Sequence, residues 1–277
     1  MQAPFETLAW GYGLVEGPTV DAGGNLFFSD VVQGRVYRLD PAGGVQTVVP
    51  KRRGIGGLAL HADGGLILSG RDIVHVRDGR TRVVFAIADL PGWNDLCTDR
   101  AGRIYAGALR FTVFDEHATP VPGECWCIAG PDLARVVYGD VIHANGIALS
   151  PDERLIAHAD TRRQALLVHA LDARGHASDR REIAVEGHPD GLAFDDAGCI
   201  WVAVAGAGCV HRYTPEGVLD RRIEVPARYP TSLCFAGTDR RDLIVVSADN
   251  LQVPDRRGSI FRLRVDVAGA PVHPARV

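Results

Sequence analysis

The sequence predicts an all-β fold: a six-bladed β-propeller with four-stranded blades around a central channel. Three observations carry this: a turn motif that recurs six times, apolar residues at the strand period, and an excess of Gly and Pro. The recurring segments are VDAGGNLFFSD (20–30), LHADGGLILSG (60–70), TDRAGRIYAGA (98–108), LSPDERLIAHAD (149–160), FDDAGCIWVAV (194–204) and FAGTDRRDLIVVSA (235–248). Each holds an apolar strand end, a polar turn and a second apolar strand. Further strand-like runs follow at 34–40, 72–78, 165–172, 208–214 and 258–266, and the third unit's counterpart is expected around Trp126. Apolar residues alternate in these runs, as in strands, and no stretch of twelve or more residues carries a helical stripe. Gly 32 and Pro 16 supply many tight turns, which implies short strands.

The repeat length of about 40 to 50 residues is what one four-stranded blade needs. Six such units fill the chain, so residues 1–277 are expected to form a single domain with no linker. Ring closure requires one terminus to complete the blade begun by the other. Residues 4–10 (PFETLAW) are expected to pair beside 258–266.

Composition narrows the function classes. The net charge is −4 with scattered basic residues, so no nucleic-acid groove is expected. No apolar run approaches the roughly 20 residues that span a bilayer. The N-terminus lacks a basic and then apolar leader, so a cytoplasmic protein is expected, acting as a monomer or weak homodimer on a small molecule. Lys51 is the only lysine, so 29 of the 30 basic residues are Arg, a bias typical of a GC-rich bacterial genome. Its KRRG turn offers no burial to lower its pKa, which argues against Schiff-base chemistry. Cys97, Cys125, Cys127, Cys199, Cys209 and Cys234 include no CxxC pair and read as reduced, buried small hydrophobes.

Aligning the repeats exposes a candidate site. The innermost strands start Glu16-Gly17-Pro18, Gly56-Gly57-Leu58, Asn94-Asp95-Leu96, Asn145-Gly146-Ile147, Asp190-Gly191-Leu192 and Thr231-Ser232-Leu233. Equivalent positions on innermost strands form a ring at one depth in the channel. The ring therefore gathers Glu16, Asn94, Asn145 and Asp190, oxygen donors that are costly to bury unpaired. A cation would offset that cost and make this a central metal-binding channel. The all-oxygen set suits one hard divalent ion, with Ca²⁺ expected, Mg²⁺ or Mn²⁺ compatible, and Zn²⁺ or Fe²⁺ within range. Three or four protein ligands leave positions open for water and substrate. Taken singly, Asn145-Gly146 and Asp190-Gly191 are ordinary turn dipeptides; their common register is what marks a site. His143 and His188 each lie two residues before a ring residue, which places them as proton-transfer or supporting groups, or as plain wall histidines. No GxSxG, HExxH, GxxxxGK[ST] or complete GxGxxG occurs.

Several of these motifs, in this order, resemble the regucalcin/gluconolactonase/luciferin-regenerating-enzyme family. They are Glu16-Gly17-Pro18 before a Leu-Phe-Phe-Ser-Asp strand, Asn94-Asp95, Asp99-x-x-Gly102-Arg103, Asn145-Gly146 before Ser150-Pro151-Asp152, and Pro189-Asp190-Gly191. The resemblance runs from about residue 14 to 265; each motif alone is weak, and their order is specific. It implies a six-bladed propeller whose divalent metal is held by Glu16, Asn145 and Asp190. Asn94 would lie at the metal and touch substrate, and Asp190 would also act as general base.

The expected activity is a metal-dependent lactonase. The ion would polarise the lactone carbonyl, lower the pKa of a bound water and hold the developing oxyanion. Trp93, Arg110, Phe111 and Tyr229 are candidate substrate walls beside Asn94. Sugar-lactone members often carry Arg two residues before the Asn94 position, where this chain has Gly92. A flatter, more apolar lactone thus becomes as plausible as a sugar lactone, with Trp93 for stacking and Arg110 as a partial substitute. Two alternatives share the scaffold: action on another electrophile such as a phosphotriester, by hydrolysis or isomerisation, and a non-catalytic binding propeller with a structural ion.

Overall fold

The computed structural model describes residues 4–115, 117–252, 255 and 257–277, and these contain no α-helix. They form six four-stranded antiparallel sheets. Blades 1 to 5 span residues 15–49, 58–85, 92–141, 144–184 and 188–224, each hydrogen-bonded in chain order from the innermost strand outward. Blade 6 takes three strands from residues 230–264 and its outermost strand, Glu6–Tyr12, from the other end of the chain. That strand pairs with Gly258–Arg264, with Glu6 opposite Arg262, which closes the ring as expected. The third unit's counterpart strand is Gly123–Ile128, which contains Trp126.

Why the middle strands are so apolar follows from how blades stack. Strand Ile200–Ala205 (IWVAVA) is buried along nearly its whole length. Ile200, Val202 and Val204 pack toward Leu166 and Val168 of blade 4, whereas Trp201 and Ala203 pack toward Leu243 and Val245 of blade 6. The strand alternation therefore sorts residues between two neighbouring blades instead of between core and solvent. All six cysteines are free thiols; four are buried, and Cys97 and Cys234 are only half-buried because they line the lower channel.

After the last blade strand the chain crosses the lower face of the ring. Ala270 N donates to Phe194 O in blade 5, Ala275 N to Leu60 O in blade 2 and Arg276 N to Gly102 O in blade 3. This crossing covers one end of the channel and leaves the other, where the innermost strands begin, as the side on which a site can open.

Candidate functional site

In five blades the ladder between the innermost strand and its neighbour is interrupted at the ring. The register shifts between Glu16 and Thr19, Trp93 and Leu96, Ala144 and Ile147, Pro189 and Leu192, and Pro230 and Ser232. A bulge leaves its residues unpaired with the neighbouring strand and re-aims their side chains. In blade 2 the ladder starts only at Leu58, and the amides of Gly56 and Gly57 turn to the Ser69 hydroxyl at 3.2 and 2.8 Å.

Bulged backbone needs other hydrogen-bond partners, and the adjacent blade supplies them. Thr231 Oγ1 donates to Val15 O and Ser29 Oγ to Ile55 O at 2.7 Å. Asn94 Nδ2 donates to Ala144 O at 2.9 Å, and Thr161 Oγ1 to Pro189 O at 2.8 Å. The accepting carbonyls belong to the residues just before Glu16, Gly56, Asn145 and Asp190. A girdle of inter-blade bonds thus sets the ring's starting points.

Packing around the ring is tight enough that glycine is required for space. A Cβ on Gly56 would sit 2.1 Å from Asn94 Oδ1, so the amide of Asn94 fills the room that Gly56 leaves. Gly146 faces the backbone of Asp190 and Leu192, where a Cβ would meet Asp190 O at 2.4 Å.

The electrostatics link the acidic groups of the ring. Burial pushes the Glu16 carboxyl well above the carboxylate range, and the charges of Asp190 and then Asp95 push it further. Asp190 is raised in the same way, by burial first and then by Asp95, with the Gly191 amide and the Asn145 side chain opposing. Burial lifts Asp95 to about 7. Glu16 and Asp95 keep part of their surface toward the channel, yet protein surrounds each carboxyl closely enough to strip most of its hydration. Asp190 Oδ1 is buried with no hydrogen-bond partner.

A group of mutually repelling carboxyls with an orphaned oxygen fits a cation, which would satisfy that oxygen and remove the repulsion. Among the described residues no cluster of three or more His, Cys, Asp and Glu could hold a metal by itself. An ion in the channel would therefore draw on the Asn94 and Asn145 amide oxygens as well as on Glu16 and Asp190.

Asp95 and Thr161 escaped the sequence reading. The signal for Asp95 was in the second ring position, where Gly17, Gly57, Gly146 and Gly191 are small and one acid stands out. Thr161 sits in a turn outside the aligned strands, so no repeat comparison would have found it.

The expected substrate walls fare differently. Trp93 is 1% exposed and packs in the blade core against Phe85 and Trp126 at 5.8 and 6.2 Å between ring centroids. It offers no stacking face, because strand alternation at Trp93 and Asn94 sends neighbouring side chains opposite ways. Trp93→Ala should therefore cost about 3–5 kcal/mol of stability and leave the ranking of substrates unchanged, as denaturant unfolding and relative kcat/KM would show.

Arg110 cannot replace a missing arginine freely, since its guanidinium is held by Glu124 at 3.0 and 3.1 Å. Phe111 is buried, edge-on to His143 and covered by the Arg162 guanidinium 5.4 Å from its ring centre. Tyr229 is 44% exposed and carries the Arg228 guanidinium over its ring. His143 is partly buried and its pKa falls to about 4, through burial and the Arg162 charge, with Asp160 opposing. His188 is exposed, opposite Ala205 in the blade 5 ladder.

A family model described as the SMP-30/Gluconolactonase/LRE-like region matches residues 14–249. The chain is 33% identical over 261 residues, 88% of each chain, to the 6-deoxy-6-sulfogluconolactonase of Pseudomonas putida. It is 29% identical over 265 residues, 89% of this chain and 88% of the other, to a pentonolactonase of Haloferax volcanii. Among solved structures it superposes on a calcium-binding regucalcin of Agrobacterium tumefaciens with a TM-score of 0.85 at 24% identity, over 100% of this chain and 98% of that one. A luciferin-regenerating enzyme gives a TM-score of 0.87 at 22% identity over 99% of each chain. At such identities the structural likeness speaks for the fold alone. The matched model covers all six ring positions, and by it this chain belongs to the SMP-30/gluconolactonase/LRE-like family.

Proposed function

We propose that this protein hydrolyses a small lactone, with one divalent ion held by Glu16, Asn94, Asn145 and Asp190. The observation that carries the reading is the pair of closely surrounded, mutually repelling carboxyls, Glu16 and Asp190, with an unpartnered Asp190 Oδ1 in the channel ring. The names of the relatives from P. putida and H. volcanii support the reaction class. An ion bound there would supply Lewis acidity toward the lactone carbonyl and acidify a water.

The chain's own groups do the rest. Asp190 has two oxygens, one for the ion and one to take the proton of the attacking water. As the water oxygen bonds to the carbonyl carbon, the ring C–O bond breaks and Asp190 returns the proton to the departing oxygen, giving a hydroxy acid. Asn94, pinned through its Nδ2 to Ala144 O, directs its amide oxygen inward to orient substrate.

For the substrate, the buried Trp93 removes the stacking surface that favoured a flat, apolar lactone. Arg162 has no carboxylate partner among the described residues and lies over Phe111, next to the Thr161 that contacts Asn145. An unspent cation at this rim favours a sugar lactone bearing an anionic substituent.

Metal-stripped protein should be assayed with Ca²⁺, Mg²⁺, Mn²⁺ and Zn²⁺ on gluconolactone, xylonolactone, an aliphatic lactone, an aromatic lactone and a sugar acid lactone bearing a second, charged group. Turnover should vanish on chelation, return with a hard ion, and favour the charged sugar lactone. Hydrolysis indifferent to chelation would remove the metal, and no hydrolysis across the panel would remove the reaction class.

A further inference from the structure

We infer that Thr161 is a positioning residue that fixes which end of the Asn145 amide faces the channel. The inference rests on the reading that Asn145 offers an oxygen to a cation. A threonine hydroxyl has one proton to donate and lone pairs to accept with. Pro189 O can only accept, and Thr161 Oγ1 lies 2.8 Å from it, so the hydroxyl proton is committed there. Toward Asn145, 3.2 Å away, the hydroxyl can then only accept, and the group facing it must be Nδ2. Which atom of an amide is oxygen follows from its hydrogen-bond network, and this network leaves Oδ1 for the channel.

Orientation matters because the two ends of an amide are opposite in sign to a cation. With Oδ1 inward, Asn145 is a ligand; flipped, it aims two N–H donors at the ion. The donation to the carbonyl just before Asp190 is what commits the proton and leaves Oγ1 only its lone pairs for Asn145. Thr161 can do this because its turn is itself held: Asp160 accepts from the amides of Ile142 and His143 and from Arg163. That brings the start of the Asn145 strand and the Thr161 turn together around one buried carboxylate.

The experiment is calorimetric titration of Ca²⁺ into metal-free wild type, Thr161→Val, Thr161→Ser, Asn145→Asp and the Thr161→Val/Asn145→Asp double variant. Loss of a group that orients a ligand costs about 10–100-fold in metal affinity, so Thr161→Val should weaken binding by that factor. Thr161→Ser keeps the hydroxyl and should restore affinity to within a few fold. Asp at position 145 presents oxygen either way round, so in the Asn145→Asp background the valine should change affinity less than about threefold. Equal losses in both backgrounds would mean that Thr161 merely supports the fold, and wild-type affinity in Thr161→Val would overturn the proposal. Failure of the wild type to bind Ca²⁺ or any other divalent ion would instead count against the metal reading beneath it.

Discussion

Asp190→Ala should bind no divalent ion at concentrations that saturate the wild type, and should lose turnover by at least about 10³-fold, the scale of removing a principal electrostatic group. Glu16→Ala should behave alike. Both should keep the sheet signature of the wild type in circular dichroism, because the apolar clusters between blades hold neither residue. Removing one carboxyl also relieves repulsion on the other, since each is raised by burial and Glu16 is raised further by the Asp190 charge. The metal-free variants should therefore be no less stable than metal-free wild type.

In the wild type, protons and the ion compete for the same raised carboxyls, so affinity should weaken as pH falls. The metal-free fold should change in the opposite sense. Groups whose folded pKa lies above the unfolded value contribute stability that is complete below the ordinary carboxylate range and is lost as pH rises through the raised values, about 7 for Asp95. Titration calorimetry, unfolding midpoints and single-turnover assays on the same preparations check these points together. An active Asp190→Ala protein that still holds its ion would remove the assigned base.

The propeller was legible because every blade repeats the same sentence: an Asp/Gly turn between apolar strands, at nearly constant spacing. The ring at Glu16, Asn94, Asn145 and Asp190 was legible for the same reason, since register across repeats substitutes for tertiary information. What the repeat could not convey was direction within a blade. Trp93 sits beside a ring residue, yet the pleat turns it into the core between Phe85 and Trp126. Arg110 reads as a spare guanidinium in sequence, but just past the end of its strand it meets Glu124, brought near by the ladder between Ile104–Leu109 and Gly123–Ile128, two strands joined by a long connection. Thr161 and the inter-blade girdle depend on which blade lies next in space and at what height, which spacing along the chain does not encode.

Two alanine substitutions at ring glycines should separate function from stability. In Gly56→Ala the new Cβ falls 2.1 Å from Asn94 Oδ1 and 3.1 Å from its Cγ, both side-chain atoms, with the nearest backbone atom, the Asn94 carbonyl carbon, at 3.2 Å. The amide of Asn94 can swing away at small cost in folding, but then leaves the channel. In Gly146→Ala the Cβ falls 2.4 Å from Asp190 O, 2.6 Å from Leu192 N and 2.7 Å from Gly191 Cα, all backbone. Nothing there can rotate aside, so the innermost strands of blades 4 and 5 must move apart. Neither glycine is in the left-handed region, so each effect is one of space and not of backbone strain. Gly56→Ala should stay within about 1 kcal/mol of wild-type stability yet lose about 10²-fold in kcat/KM, the cost of misplacing an orienting group by an ångström or so. Gly146→Ala should lose about 1–3 kcal/mol or more, as overpacking does, and lose ion affinity as well because Asp190 is displaced with its strand. Denaturant unfolding, ion titration and steady-state kinetics on both proteins distinguish the two. If Gly56→Ala matched the wild type in affinity and kcat/KM, Asn94 would have no place at the site, and the ring would reduce to Glu16, Asn145 and Asp190.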